Sequence, residues 1–113
     1  MKIDARRVSD VLIVDMIGNR LDNLTAGDAE SRILDIVQDE DRRVLLNLER
    51  LSYMSSAGLR LILRVARQLQ ANRGELKICN ARGLVKDVLE MSGFHSLIKI
   101  YDTEKEAFVA FLV

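Results

Sequence analysis

Two adjacent serines, Ser55 and Ser56, are the residues of this 113-residue chain best placed to do chemistry. They stand where an apolar stretch gives way to a helical pattern, in the run Leu51 to Leu63, LSYMSSAGLRLIL. Hydroxyls at a helix N-terminus satisfy backbone N–H groups that have no intrahelical partner. The same place suits a phosphate, because free N–H groups and the helix dipole both favour an anion. On residue types alone two readings stay open. Either Ser55 is a cap and Ser56 a small first-turn residue, or one of the two carries a modification.

A catalytic serine would need partners that the chain lacks. His95 is the single histidine, set in a turn after Gly93-Phe94, and no pattern brings it near the serines. The serines fit neither a GxSxG elbow nor an SxxK pair, since position 59 is Leu59. All six glycines are isolated, so there is no glycine-rich phosphate loop. No carboxylate and imidazole cluster has metal-ligand spacing. Cys79 is alone, which excludes an internal disulfide or a cysteine-based metal site. The expectation is a protein that is not an enzyme and has no cofactor.

Charge and hydropathy narrow the partners. Lys plus Arg and Asp plus Glu both number 17, so no net field draws the chain to nucleic acid or to an anionic membrane. Arg60, Arg64 and Arg67 lack interleaved aromatics and read as a solvated helix face. No apolar run reaches the roughly 18 residues of a membrane span. Asp4, Arg6, Arg7 and Asp10 interrupt any signal-peptide core. With 49% hydrophobic residues, one soluble, cytoplasmic domain over residues 1–113 is expected.

The elements that must position the serines follow from periodicity. Ile3 to Val8 and Val11 to Ile17 read as a hairpin around Ser9-Asp10, its first strand at an edge. A polar loop, Gly18 to Leu24, leads to a helix over about 26–38, with Thr25 and Asp28 close to a capping box. Asp39-Glu40-Asp41 reads as a solvated acidic turn. Arg42 to Leu48 is a nearly continuous apolar strand, as expected where both faces are covered.

The second helix spaces Leu59, Ile62, Leu63, Ala66 and Leu69 inward and stops at Asn72-Arg73-Gly74, with Gly in the C-terminal position. Leu76 to Cys79 is a third buried strand. Asn80 reads as the cap of a helix carrying Leu84, Val85, Val88 and Leu89. Ile98 to Ile100 is a last strand. Thr103 and Glu106 box a final helix with Ala107, Phe108, Phe111 and Leu112 inward. The order β-β-α-β-α-β-α-β-α predicts an α/β fold with a mixed, mostly parallel sheet, one antiparallel hairpin and packed helices.

The chain resembles the STAS domains of the anti-sigma-factor antagonist family, which place D-S-S/T-G-L-G or a relative of it at the start of the second helix. Here the matching residues are Met54-Ser55-Ser56-Ala57-Gly58-Leu59-Arg60, after the strand Val44 to Leu48. Gly18 with Leu21-Asp22 resembles the family's G-x-LD loop. Val88 to Phe94, Ile100 to Thr103 and Glu106-Ala107 resemble its closing pattern. The resemblance covers essentially the whole chain. It implies a partner switch: the unphosphorylated protein binds an anti-sigma factor that is also a serine kinase of the histidine-kinase-like ATPase type, and so releases a sigma factor. Phosphorylation at the start of the second helix ends that binding, and a metal-dependent serine phosphatase restores it. Aligning Gly58-Leu59 makes Ser56 the acceptor, with Ser55 as its rival, because Ser55 stands where relatives often carry Asp. Arg60 stands where many carry Gly, one turn beyond Ser56, where a guanidinium can meet a phosphate. The implied contact surface is Leu21, Asp22, Asn23 and Thr25, then Met54, Ser55, Ser56 and Ala57, then Arg60 and Arg64. No direct contact with nucleic acid and no membrane insertion is implied; the alternative is a STAS scaffold, unmodified, that binds a partner or a nucleotide in a transporter or signalling complex.

Overall fold

The computed structural model describes residues 1–112. Its elements run β1 (Lys2–Val8), β2 (Val11–Ile17), α1 (Ala26–Ile36), β3 (Arg43–Asn47), α2 (Ser56–Ala71), β4 (Glu75–Cys79), α3 (Gly83–Met91), a 3-10 turn (Phe94–Ser96), β5 (Ile100–Tyr101) and α4 (Glu104–Leu112). The five strands form one sheet in chain order, β1-β2-β3-β4-β5. β1 pairs antiparallel with β2, and the remaining pairs are parallel. The hairpin turns through Ser9 at φ 57°, the positive φ that a two-residue connection requires.

Alternation along the strands divides the core in two. Leu12, Val14, Val44, Leu46, Leu76 and Ile78 face α1, α2 and α3 in the larger cluster. Val11, Ile13, Leu45 and Cys79 face the other way, against Ala107 and Phe111 of α4. The continuous apolar run of β3 is thus covered on both sides. Burial pushes the Cys79 thiol up to about 12, which keeps it a small apolar group and no nucleophile. β1 shows water its charges and buries Ile3 alone, as an edge strand should.

Several local expectations are corrected. Thr25 makes no side-chain cap to α1, because its hydroxyl is taken up by the preceding loop. Asp41 is not a solvated turn residue: it is 7% exposed, accepts two bonds from Arg7 (3.1 and 2.6 Å) and a third from the Gln38 N–H. The buried face of α2 is Ala57, Gly58, Leu61, Ile62, Val65, Ala66 and Leu69, so Leu59 and Leu63 lie at its margin. After α2 the left-handed residue is Arg73 (φ 62°), while Gly74 is needed for closeness, since a Cβ there would stand 3.0 Å from the Arg42 carbonyl. Asn80 is buried and left-handed, and its N–H bonds the Tyr101 carbonyl, so it extends the sheet and Arg82 precedes α3. The last strand begins at Ile100 because the N–H groups of Leu97 and Ile98 still close the 3-10 turn on Phe94. Leu112 is 55% exposed, whereas the Thr103 hydroxyl does cap α4 at the Glu106 N–H, 3.1 Å.

The Arg7–Asp41 pair makes stability depend on acid. Bonds from Arg7, then from the Gln38 N–H, hold the Asp41 carboxyl below its usual value. A depressed folded-state pKa contributes stability that is complete above the ordinary Asp value of about 3.9 and vanishes as pH falls through the folded one. In urea unfolding, Asp41→Asn should therefore be less stable than the parent by a constant amount above about pH 5. The gap should close as both are taken below about pH 3.

Candidate functional site

The serines are held by a backbone suture between two loops. Beyond the ends of β2 and β3 the two chains run on side by side, with parallel bridges Gly18–Leu51 and Leu21–Met54. Four hydrogen bonds make the seam: Gly18 N–H to Arg50 O (3.1 Å), Ser52 N–H to Gly18 O (3.2 Å), Leu21 N–H to Tyr53 O (2.9 Å) and Ser55 N–H to Leu21 O (2.9 Å). The last of these delivers Ser55 to the start of α2 with extended backbone (φ −98°, ψ −178°). Its Oγ accepts from the Ala57 N–H at 3.2 Å, and its carbonyl accepts from Gly58 and Leu59. Ser55 is the cap.

Ser56 is the first residue of α2 and is exposed. Because Ser55 already satisfies three amides of the first turn, an anion on Ser56 would be favoured chiefly by the helix dipole, not by a row of empty N–H groups. Neither serine lines any of the main cavities. His95 lies beside Ala66, ten residues along α2 from Ser56, or roughly 15 Å at helical rise. It is exposed and has no route to the hydroxyl.

The implied contact residues separate into support and surface. Leu21 and Met54 are fully buried and Ala57 is 8% exposed, so these three form the floor of the site. Asp22 and Thr25 organise the first loop. The Asp22 carboxylate accepts from the Leu24 N–H (3.0 Å) and Arg20 Nε (3.1 Å), and these bonds hold it below the usual carboxylate range. The Thr25 hydroxyl accepts from the Asp22 N–H and donates to the Arg20 carbonyl, both at 3.0 Å. Arg64 is occupied by a forked pair with Glu30 of α1, 2.6 to 3.0 Å, which ties the two helices together. Asn23 and Arg60 are exposed, and among the described residues Arg60 makes no ion pair.

Three surface residues were missed by sequence reasoning. Arg20 lies over the Tyr53 ring, 4.5 Å from its centroid, and joins the two loops on their outer side. Leu24 is 85% exposed at the loop tip beside them. Tyrosine and arginine are the residue types that protein interfaces favour as anchors. The signal was present in Leu24, an apolar residue inside a polar loop and outside any helical or strand period.

Gly58 shows how tightly the floor is built. A Cβ at this position would stand 2.6 Å from Met54 Cγ and 3.0 Å from Leu21 Cδ2. Alanine favours a helix over glycine by about 1 kcal/mol, whereas forcing a methyl into a packed core costs about 1–3 kcal/mol. Gly58→Ala should therefore lower the unfolding free energy in urea and shift the amide resonances of Leu21 and Ser55, which a neutral surface change would leave in place.

Comparison with known proteins agrees with this geometry. The STAS domain model matches residues 2–107. A Bordetella bronchiseptica protein named as a candidate anti-sigma factor antagonist, BtrV, is 37% identical over 111 residues, 98% of this chain and 95% of its own. The anti-sigma F factor antagonist of Paenibacillus polymyxa is 30% identical over 108 residues, 95% of this chain and 92% of its own. Among solved structures, the Bacillus anti-sigma factor antagonist SpoIIAA superposes in its unphosphorylated form with a TM-score of 0.77 at 26% identity, over 95% of this chain and 93% of that one. Its phosphorylated form superposes with a TM-score of 0.71, over 97% and 99%. The chain belongs to the STAS domain family and, within it, to the anti-sigma factor antagonists.

Proposed function

We propose that this protein is a single-domain, cytoplasmic anti-sigma factor antagonist whose binding is switched off by phosphorylation of Ser56. In its unphosphorylated form it binds an anti-sigma factor that is also a serine kinase of the histidine-kinase-like ATPase type, and so frees a sigma factor. A metal-dependent serine phosphatase resets it. Its role is regulatory, not catalytic. The observation that carries this reading is the division of labour at the start of α2: Ser55 is consumed as the cap, and Ser56 presents an exposed hydroxyl on a rigid platform. The solved structures of SpoIIAA in unphosphorylated and phosphorylated forms support it by analogy.

The switch acts at the interface, not on the fold. A phosphoserine adds about −1.5 to −2 charges at neutral pH. At a helix N-terminus the dipole tolerates that charge, so the domain stays folded. Against a partner the same charge must be desolvated or meet like charge. A loss of about 3 kcal/mol weakens binding by roughly a hundredfold.

Incubation with the anti-sigma factor kinase and ATP, followed by mass-spectrometric mapping, should place the phosphate on Ser56 and yield none in Ser56→Ala. Ser55→Ala should still be phosphorylated, while losing about 0.5–2 kcal/mol of stability with its cap. Ser56→Asp should keep the parent circular dichroism spectrum and bind the kinase far more weakly. Tight binding by a protein phosphorylated on Ser56 would sink the switch and leave an unmodified scaffold.

A further inference from the structure

The largest of the main cavities, about 490 Å³, lies at the end of the sheet opposite the serines, where β3 and β4 begin. Its wall is dominated by Arg42, Arg43 and Arg73, with Gly74, Glu75, Ala110 and Phe111 completing it. In a chain with no net charge, three guanidinium groups around one concavity are a local excess. The nearby carboxylates neutralise only part of it, at Arg43. Glu75 is paired with the buried Lys77 at 3.0 Å, and Asp10 with Arg43 at 2.8 Å. Asp39 and Glu40 precede Arg42 in the chain, yet among the described residues Arg42 and Arg73 make no ion pair.

The backbone that presents these two arginines is tightly built. The Arg42 carbonyl accepts the Glu75 N–H at 2.8 Å, and the Gly74 N–H bonds back to the Leu69 carbonyl at 2.6 Å. Arg73 sits between them in the left-handed region, φ 62°, where glycine would be held with less strain. The cavity volume lies in the range of small-molecule pockets, and guanidinium forks match the oxygens of phosphate in pairs.

We propose that the cleft between Arg42, Arg43 and Arg73 binds a small phosphate-bearing anion. Arg42 and Arg73, free of carboxylates, supply the forked contacts, and Arg43, held by Asp10, fixes the rear of the cleft. The site is independent of Ser56 and does not rest on the switch.

Inorganic pyrophosphate is the probe, titrated calorimetrically into the full chain at low salt. Binding should be measurable at millimolar concentration or below. It should weaken at least tenfold in Arg42→Ala combined with Arg73→Gly, a pair that removes both guanidinium groups and suits the backbone at position 73. Thermal melting of that variant checks that it is folded. Arg67→Ala combined with Lys105→Ala removes the same charge elsewhere and should bind like the parent. No binding by the parent at several millimolar, or equal weakening in both double variants, would overturn the proposal. Binding of oligoglutamate in place of pyrophosphate would overturn it too, since it marks the cleft as a docking point for acidic protein.

Discussion

The seam between Gly18–Leu21 and Leu51–Ser55 is the constraint on which the site depends. Neither loop has a regular ladder of its own, and each would otherwise leave backbone groups unpaired at the end of the sheet. By bonding to one another they extend the β2–β3 pairing past the strands and fix where α2 begins. The Leu21 carbonyl takes the Ser55 N–H, and that single bond sets the orientation from which the Ser55 hydroxyl reaches Ala57. Below the seam, Leu21, Met54 and the bare face of Gly58 interlock without space for a methyl group. Above it, Arg20 stacked on Tyr53 bridges the same two loops. The platform under Ser56 is rigid because three kinds of contact lie one above another.

This arrangement explains how a charge change at one atom can alter binding and spare the fold. Ser56 is on the surface, in a first turn whose amides Ser55 already satisfies. A phosphate there displaces no structural bond. The two core clusters, one under α1 to α3 and one under α4, lie on opposite faces of the sheet, and the larger reaches the site only through its floor of Leu21, Met54 and Ala57. Arg64, which looked available to a partner, is instead spent on Glu30, which holds α1 against α2. What remains exposed for the proposed partner is Asn23, Leu24, the outer side of the Arg20–Tyr53 stack and Arg60.

Much of this was legible in the sequence because it rests on period and on local chemistry. The strands, the helices and their order follow from apolar spacing, and Ser55 as cap follows from residue type and position. The misreadings share one cause: tertiary contacts claimed residues whose local role was plausible. Thr25 and Asn80 are good caps in isolation, but a loop took the first hydroxyl and the sheet took the second residue's backbone. Asp41 lies in an acidic run, yet Arg7 from 34 residues away buries it. Leu21 reads as a contact residue from its place in a polar loop and Met54 from its place before the serines, and nothing local reveals that the seam turns both inward. The proposed acceptor role of Ser56 rests on the family resemblance, since periodicity yields a helix start and no more.

The central claim is that the seam holds Ser56 unchanged through modification. Amide hydrogen exchange of Leu21 and Ser55, followed by NMR in the unmodified and the Ser56-phosphorylated protein, addresses it most directly. Both amides should exchange only through global unfolding, with the same high protection in the two forms. Loss of protection at Leu21 and Ser55 on phosphorylation, with the β3 amides unaffected, would contradict the account and relocate the switch from the interface to the loops themselves.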